Sequence, residues 1–303
     1  MYIKYKKIKE VISLDYILIT AAKNEDKNIS TLIKSIINQS SRPKVWLIVD
    51  DGSTDTTPQI IQNSVFENSW ILSIRLNDNK RDIGLHIAEV LKLGFEYLKR
   101  YCLIKDISYE FVGIIDADMV PEYTYFEKLL KYFYTNPKLG IISGGVYYND
   151  MGKLIWEKSR SDHARGGSRL IREDCLKEIG YIPAYAAWDT VMNVKAKKYG
   201  WCVQQFKDVV SIQSRKTNTG QGLWKGWVSF GERMYYLNYH PILMIGAVFS
   251  ALIKKPHFIC IPLFYGYFIS IIQRKDQIND KEIKDYFWND RMKEIIKNLK
   301  YYI

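Results

Sequence analysis

Residues 16–61, YILITAAKNEDKNISTLIKSIINQSSRPKVWLIVDDGSTDTTPQII, carry the most restrictive pattern in the chain. Two continuous apolar runs, 16–20 and 45–49, read as parallel strands buried on both faces. Between them Ile29, Leu32, Ile33, Ile36 and Ile37 recur at helical spacing, giving one apolar and one polar face. The stretch is therefore a βαβ unit. Ligands of open α/β sheets bind outside the carboxyl ends of the strands, which places the loops 21–26 and 50–55 at a binding edge. Asp50 and Asp51 stand side by side at one such end, and the Gly52-Ser53-Thr54-Asp55 that follows turns sharply and can accept hydrogen bonds from a ligand.

Further along, 56–66 reads as a helix with Thr54 or Asp55 as N-cap, 70–76 as a strand, and 83–101 as a long helix on the spacing of Ile83, Ile87, Val90, Leu91, Phe95 and Leu98. A buried strand at 111–115 runs directly into Asp116-Ala117-Asp118. A helix at 122–134 and a strand at 139–148, interrupted by Gly144-Gly145, complete an alternation that implies a parallel sheet with helices on both faces. Beyond Asn149 the pattern loosens into a polar stretch at 159–168, a short helix at 173–179, a helix opening at Trp188-Asp189-Thr190, a strand at 201–206 and a polar loop at 214–222.

Three motifs, in order, carry a family resemblance. They are Ala22-Lys23-Asn24-Glu25 with Val49-Asp50-Asp51-Gly52-Ser53-Thr54-Asp55, the run GIIDADMVPEYTYFEKLL around Asp116 and Asp118, and Trp188-Asp189-Thr190. The chain resembles a family-2 glycosyltransferase over residues 16–239. The resemblance implies a GT-A-type, Rossmann-like, mostly parallel sheet, and inverting transfer of a sugar from a nucleoside diphosphate sugar. It places Ala22, Asn24 and Glu25 in the donor loop and gives Asp51 a nucleobase contact. It also puts Gly166, Gly167 and Trp188 on the acceptor side, and Arg215 and Lys216 against the diphosphate. Lys23 stands where an aromatic residue is most often found, and Gln213 and Ser214 where many relatives carry a metal-binding His.

Chemistry sharpens two of these positions. Two carboxylates one residue apart at a strand end, Asp116 and Asp118, can point at one hard cation. Mg²⁺ or Mn²⁺ there would bridge the phosphates and offset the charge that builds as the sugar leaves. Attack by a hydroxyl needs a general base, and a carboxylate at Asp189 suits it; the bland reading of Asp189 is a helix N-cap. The Gly166-Gly167 pair lets a sugar approach the backbone, or is only a turn. Of the four histidines, His86, His163, His240 and His257, none forms a ligand pattern; a surface role is expected of each, with His163 the one worth testing.

The net charge of +11 admits nucleic acid, an anionic membrane surface, phosphorylated substrates or no specific partner. Carboxylates at successive strand ends would repel nucleic acid, which is not expected as a partner. Two apolar runs, 241–253 and 258–272, are each shorter than the roughly 20 residues needed to cross a bilayer. Flanked by lysines and studded with aromatics, they read as helices lying in a membrane interface, or else as ordinary core. Residues 276–303 read as one or two charged amphipathic helices. The four cysteines form no C-x-x-C pair and are expected in the core of a protein in a reducing compartment. The first sixteen residues lack the apolar core of a signal peptide.

The expectation is thus a transferase domain over 1–240, with a donor half at 16–148 and an acceptor half at 149–240, and a membrane-surface helical tail over 241–303. The protein would sit on the cytoplasmic face of the cell membrane and use a lipid-linked acceptor. The rival enzyme is a sugar-nucleotide nucleotidyltransferase, whose glycine-rich triphosphate loop is absent from AAKNEDKN. A non-catalytic basic membrane- or nucleic-acid-binding protein is the rival outside enzymes.

Overall fold

The computed structural model describes residues 14–77, 85–214, 222–253 and 256–299. Its first unit is β1 (Tyr16–Ala22), α1 (Ile29–Ile37) and β2 (Val45–Asp50), with β1 and β2 parallel and Ala22 opposite Asp50. Burial explains the apolar runs: all six residues of β2 are buried, and Ile29, Leu32, Ile33 and Ile36 turn the inner face of α1 onto the sheet. Each such side chain contributes roughly 1.5–3 kcal/mol. The buried indole N–H in this layer is matched, since Trp46 Nε1 donates to Thr20 Oγ1 at 3.0 Å.

Then follow α2 (Thr57–Glu67), β3 (Ile71–Arg75), α3 (Leu85–Ile104) and β4 (Phe111–Ile115). The N-cap position falls on Thr56, which makes no side-chain cap bond, and not on Thr54 or Asp55; Asp55, one residue earlier, accepts from Thr57 N through Oδ1 at 2.9 Å. Strands β3, β2, β1 and β4 are all parallel, so their carboxyl ends share one edge.

The second half departs from the parallel pattern. A three-residue strand β5 (Met119–Pro121) precedes α4 (Tyr125–Thr135), so the helix starts three residues later than the sequence suggests. Next come β6 (Leu139–Asp150), β7 (Lys153–Trp156) and β8 (Ser168–Arg172). The last two lie in the stretch read as loose. β7 closes a hairpin on β6 through Met151 and Gly152, both at positive φ (49° and 85°), the conformation a two-residue hairpin turn requires. β8 runs antiparallel between β4 and β6.

After α5 (Glu173–Glu178) and α6 (Trp188–Lys198), β9 (Cys202–Gln213) extends seven residues beyond the expected strand. It pairs parallel with β6 and, at its end, antiparallel with β5. The Gly144-Gly145 pair read as an interruption marks a register shift: Gly144 is opposite Phe206 and Gly145 opposite Val210, so that residues 207–209 of β9 bulge out of the pairing. The sheet order is β3-β2-β1-β4-β8-β6-β9-β5, with β7 on β6.

Helices α7 (Leu223–Tyr236), α8 (Pro241–Ile253) and α9 (Cys260–Ile272) follow, then α10 (Lys281–Asp285), a π-helical turn at Tyr286–Asp290 and α11 (Arg291–Leu299). These helices are docked. Tyr239 stacks on Phe287 at 4.1 Å, and Lys195 of α6 pairs with Asp280 at 2.8 Å. Cys102, Cys175 and Cys260 are buried as expected, but Cys202 is exposed, at the start of β9.

Candidate active site

The loops after β1 and β2 are laced to each other. Asn24 N donates to Ser53 Oγ (2.9 Å), Thr54 N to Asn24 Oδ1 (2.8 Å) and Glu25 N to Thr57 Oγ1 (2.8 Å). Asn24 sits at φ 55°, a left-handed conformation that Asn tolerates. Its side chain therefore shapes the loop and does not line the cavity, unlike Ala22 and Glu25. The two adjacent aspartates divide in the same way. Asp50 turns away, accepting from Ser53 N at 3.0 Å and lying 3.3 Å from Arg75 Nε. Asp51 faces the cavity, where Lys23 Nζ stands 3.1 Å from Oδ2 and His86 Nε2 lies 2.9 and 3.0 Å from its two oxygens.

Asp116 and Asp118 project from the turn between β4 and β5. Asp116 N donates to Gly167 O (2.9 Å) and Met119 N to Asp116 O (3.1 Å), which holds the turn. β5 pairs Met119 with Gln213, so Gln213 Nε2 comes within 3.4 Å of Asp118 Oδ2. The glycines have a reason other than room for a sugar. A Cβ at Gly167 would collide with the Asp116 carboxylate, and one at Gly166 would meet Asp189 Oδ2 at 3.0 Å. They make space for the carboxylates themselves.

Asp189 is not an N-cap. Ala187 holds that position with φ 58°, and Asp189 lies in the first turn of α6, its Oδ1 accepting from Thr190 N at 2.7 Å. Beneath it is a residue the sequence reading passed over. Arg169, in β8, is fully buried; it donates to Ala164 O (2.7 Å) and Arg165 O (3.0 Å), and its guanidinium lies 5.0 Å over the Trp188 ring. An arginine inside the run Ser168–Arg172 was the available signal, because a buried charge needs partners.

The electrostatics differ sharply between the carboxylates. Burial, then repulsion from Asp118 and Asp189, raises Asp116 to about 7. Burial also pushes against ionisation of Asp189, but Arg169, His163, the Thr190 N–H and Arg233 outweigh it and hold Asp189 below the usual carboxylate range. Burial lowers Arg169 to about 10, with Asp189 and Asp116 pulling the other way.

These groups surround one cavity of about 570 Å³. Of the residues expected there, Ala22, Glu25, Asp51, Asp116, Asp118, Gly166, Gly167, Trp188 and Asp189 all line it, and Asn24 does not. Arg215 and Lys216 lie outside the described residues. His86 and His163 also line the cavity, contrary to the surface role expected of them, and Arg233 joins them from α7.

Among the described residues no three His, Cys, Asp or Glu side chains form a ready-made metal cluster. The donor set nevertheless fits Mg²⁺ or Mn²⁺. Such ions take one or two carboxylates and complete their shell with water and phosphate oxygens, and the repulsion that raises Asp116 marks an excess of negative charge that a cation would relieve.

The family model described as glycosyl transferase family 2 matches residues 17–190. The chain belongs to glycosyl transferase family 2. Curated relatives in this family include poly-beta-1,6-N-acetyl-D-glucosamine synthases. That of Staphylococcus epidermidis strain RP62A is 22% identical over 78% of this chain and 58% of the relative; that of Staphylococcus aureus strain COL is 21% identical over 74% and 55%. The chain thus spans somewhat over half the length of these relatives. Among solved structures, the mannosyltransferase PcManGT from Pyrobaculum calidifontis, in complex with GDP-Man and Mn²⁺, superposes with TM-score 0.56 at 14% identity, covering 86% of this chain and 88% of that one. S. aureus TarS 1–349 with UDP-GlcNAc gives TM-score 0.52 at 15% identity, covering 88% and 93%. At such identities these likenesses establish the fold, which is that of the GT-A glycosyltransferases.

Proposed function

We propose that this chain transfers a sugar, with inversion, from a nucleoside diphosphate sugar to a lipid-linked acceptor at the cytoplasmic face of a membrane. The reading is carried by one observation: Asp51, Asp116, Asp118 and Asp189, from three separate segments, converge on a single cavity. So many carboxylates repel a bare diphosphate and suit one that arrives with a divalent cation. Asp116 and Asp118 would hold Mg²⁺ or Mn²⁺, with the Gln213 amide beside them; the ion, when bound, neutralises charge on the leaving diphosphate.

The chain's own groups do the rest. Asp51 receives the nucleobase, Ala22 and Glu25 border the donor, and Arg215 and Lys216 serve the diphosphate. Asp189, ionised at neutral pH, takes the proton of the attacking hydroxyl through Oδ2, since Oδ1 is bonded to Thr190 N. Trp188, held under Arg169, walls the acceptor side together with the backbone at Gly166 and Gly167. Residues 1–240 form the transferase domain in this reading, and the helices of 241–303 seat it on the membrane.

Sugar transfer to membrane lipid extract, assayed with UDP-, GDP- and dTDP-sugars plus Mn²⁺, tests the proposal. Asp189→Asn should lower transfer by about 10²–10⁴-fold while leaving nucleotide binding intact. Asp118→Ala should weaken Mn²⁺-dependent nucleotide binding as well. Unchanged transfer in both variants would remove the reading.

A further inference from the structure

A second cavity, of about 530 Å³, shares no lining residue with the carboxylate cavity. One wall is α3, whose Lys92, Phe95, Glu96 and Lys99 recur at helical spacing and so share a face. The facing wall is the segment that joins α5 to α6, with Lys195 of α6 beside it. That segment opens on a strained residue. Gly180, at φ 81°, closes α5 in a Schellman cap, Gly180 N donating to Lys177 O (3.1 Å) and Tyr181 N to Leu176 O (2.8 Å). The cap accounts for the glycine but not for Tyr181, which holds φ 68°, a conformation that a bulky residue rarely adopts. Backbone strain of this kind collects at ligand clamps and active sites. The Tyr181 ring is pinned from α3, by Phe95 at 5.7 Å and by Lys99 Nζ at 4.2 Å from its centre, and its hydroxyl accepts from the same Nζ at 2.9 Å. Ala187, at φ 58°, ends the segment where it enters the carboxylate cavity ahead of Trp188 and Asp189.

We propose that this second cavity binds a saccharide, separately from the carboxylate cavity to which residues 181–187 lead. The inference goes beyond sugar transfer and does not depend on it. A sugar offers hydroxyls that both donate and accept, on a ring whose C–H face is apolar. The cavity answers each property. Lys92 and Lys99 supply donors, the Tyr181 hydroxyl accepts from Lys99 and keeps its own hydrogen to give, and the Glu96 carboxylate accepts. Among the described residues the Lys92 and Glu96 side chains have no hydrogen-bond or ion-pair partner, so both are open to a ligand. Pro183 and Tyr185 supply apolar surface for the ring face. A bare phosphate would meet the Glu96 carboxylate, and a wholly apolar ligand would desolvate ammonium and carboxylate groups without pairing them, so neither fits. The volume lies within the range of about 300–1,000 Å³ usual for small-molecule sites. A saccharide held there ties α3 to the segment that delivers Trp188 and Asp189, and steadies that segment.

Hydrogen exchange of the full chain, read by mass spectrometry with no nucleotide present, tests this with three disaccharides at millimolar concentration: cellobiose, mannobiose and diacetylchitobiose. At least one should slow exchange in residues 180–187 by about threefold or more. The double variant Lys92→Ala with Glu96→Ala, whose side chains are exposed, should melt as wild type does and lose that protection. If it does not fold, the wild-type map and the phosphate control decide. No protection from any of the three sugars, or protection confined to residues 163–167 at the carboxylate cavity, would overturn the site. Equal protection from inorganic phosphate would make it an anion site and overturn the saccharide. Protection that survives in the folded double variant would overturn the roles of Lys92 and Glu96. None of these outcomes bears on the transferase reading, which the sugar-transfer assay decides.

Discussion

Asp116 and Asp189 are the same side chain in one cavity, yet burial and neighbours drive them apart: Asp116 rises to about 7 among other carboxylates, while Asp189 is held low by Arg169, His163, the Thr190 N–H and Arg233. Such divergence is how a site assigns different tasks to chemically identical groups. His163 belongs to the same arrangement. Its Nδ1 lies 3.1 Å from Asn193 Nδ2, whose other hydrogen is given to Ala164 O at 2.9 Å, so Nδ1 accepts and the proton resides on Nε2. Burial lowers the imidazole from 6.5 to about 4; Asp189 opposes this, while Arg169, Arg160 and Arg165 reinforce it. Between pH 6.5 and about 4 the unfolded chain takes up a proton at residue 163 that the folded chain refuses. Stability from this residue is therefore complete above pH 6.5 and is lost as the solution is acidified, by about 3 kcal/mol in all. In urea unfolding followed from pH 7 to pH 4, His163→Gln should lose less stability than wild type by about that amount. Equal losses in the two proteins would count against a buried neutral His163.

At the scale of elements, the strands that build the carboxylate edge were legible because parallel strands buried on both faces leave continuous apolar runs, as in β1, β2 and β4. Two strands of the acceptor half, β7 and β8, were not. β7 is largely exposed, and β8 contains the buried Arg169, so neither leaves the apolar run that marked β1 and β2. Their placement depends on tertiary partners, and Tyr125 is one of the chief ones. Its hydroxyl donates to Ser168 O at 2.7 Å and accepts from Gly144 N at 2.8 Å, joining α4 to both β8 and β6. A Cβ at Gly144 would collide with Val209 O and meet the Tyr125 ring at 2.5 Å, so the glycine at the bulge makes room for this contact. Burial pushes the phenol up to about 12, which keeps it protonated and able to donate. Tyr125→Phe leaves a buried carbonyl and a buried N–H short of a partner, a cost of about 1–3 kcal/mol. The loss should appear as a lower urea midpoint with an unchanged slope. A midpoint equal to wild type would mean that β6 and β8 are held by their ladders alone.

Across the whole molecule the question is what the helices after residue 240 do for the cavity. α7 supplies Phe230, Arg233 and Met234 to its wall and crosses α9 with the backbones in contact; a Cβ at Gly231 would collide with Leu263 O, and one at Gly266 with Val228 O. The wall of the site and the outer helices are therefore packed backbone against backbone as one body. On the outer side of that body α8 exposes Ile242, Ile245, Phe249 and Leu252, and α9 exposes Ile261, Phe264, Tyr265, Phe268, Ile271 and Ile272. These positions recur at helical spacing, so each helix presents a continuous apolar stripe to solvent. No helix among the described residues is long and apolar enough to cross a membrane. An apolar surface of this kind marks an interaction site, and the chain's net charge of +11 favours an anionic lipid surface as its partner. Burying one Ile or Phe side chain in the interface is worth roughly 1.5–3 kcal/mol. The double variant Ile245→Asp with Phe264→Asp should therefore weaken vesicle binding at least about a hundredfold and leave the melting temperature unchanged, because both side chains are half-exposed. Flotation with phosphatidylglycerol vesicles, at low and at high salt, measures this. Wild-type protein should rise with the vesicles, less so at high salt, and the variant should stay at the bottom of the gradient. If wild type stays at the bottom too, or the variant floats as well as wild type does, the stripes face something other than lipid, and a membrane-bound acceptor loses its support.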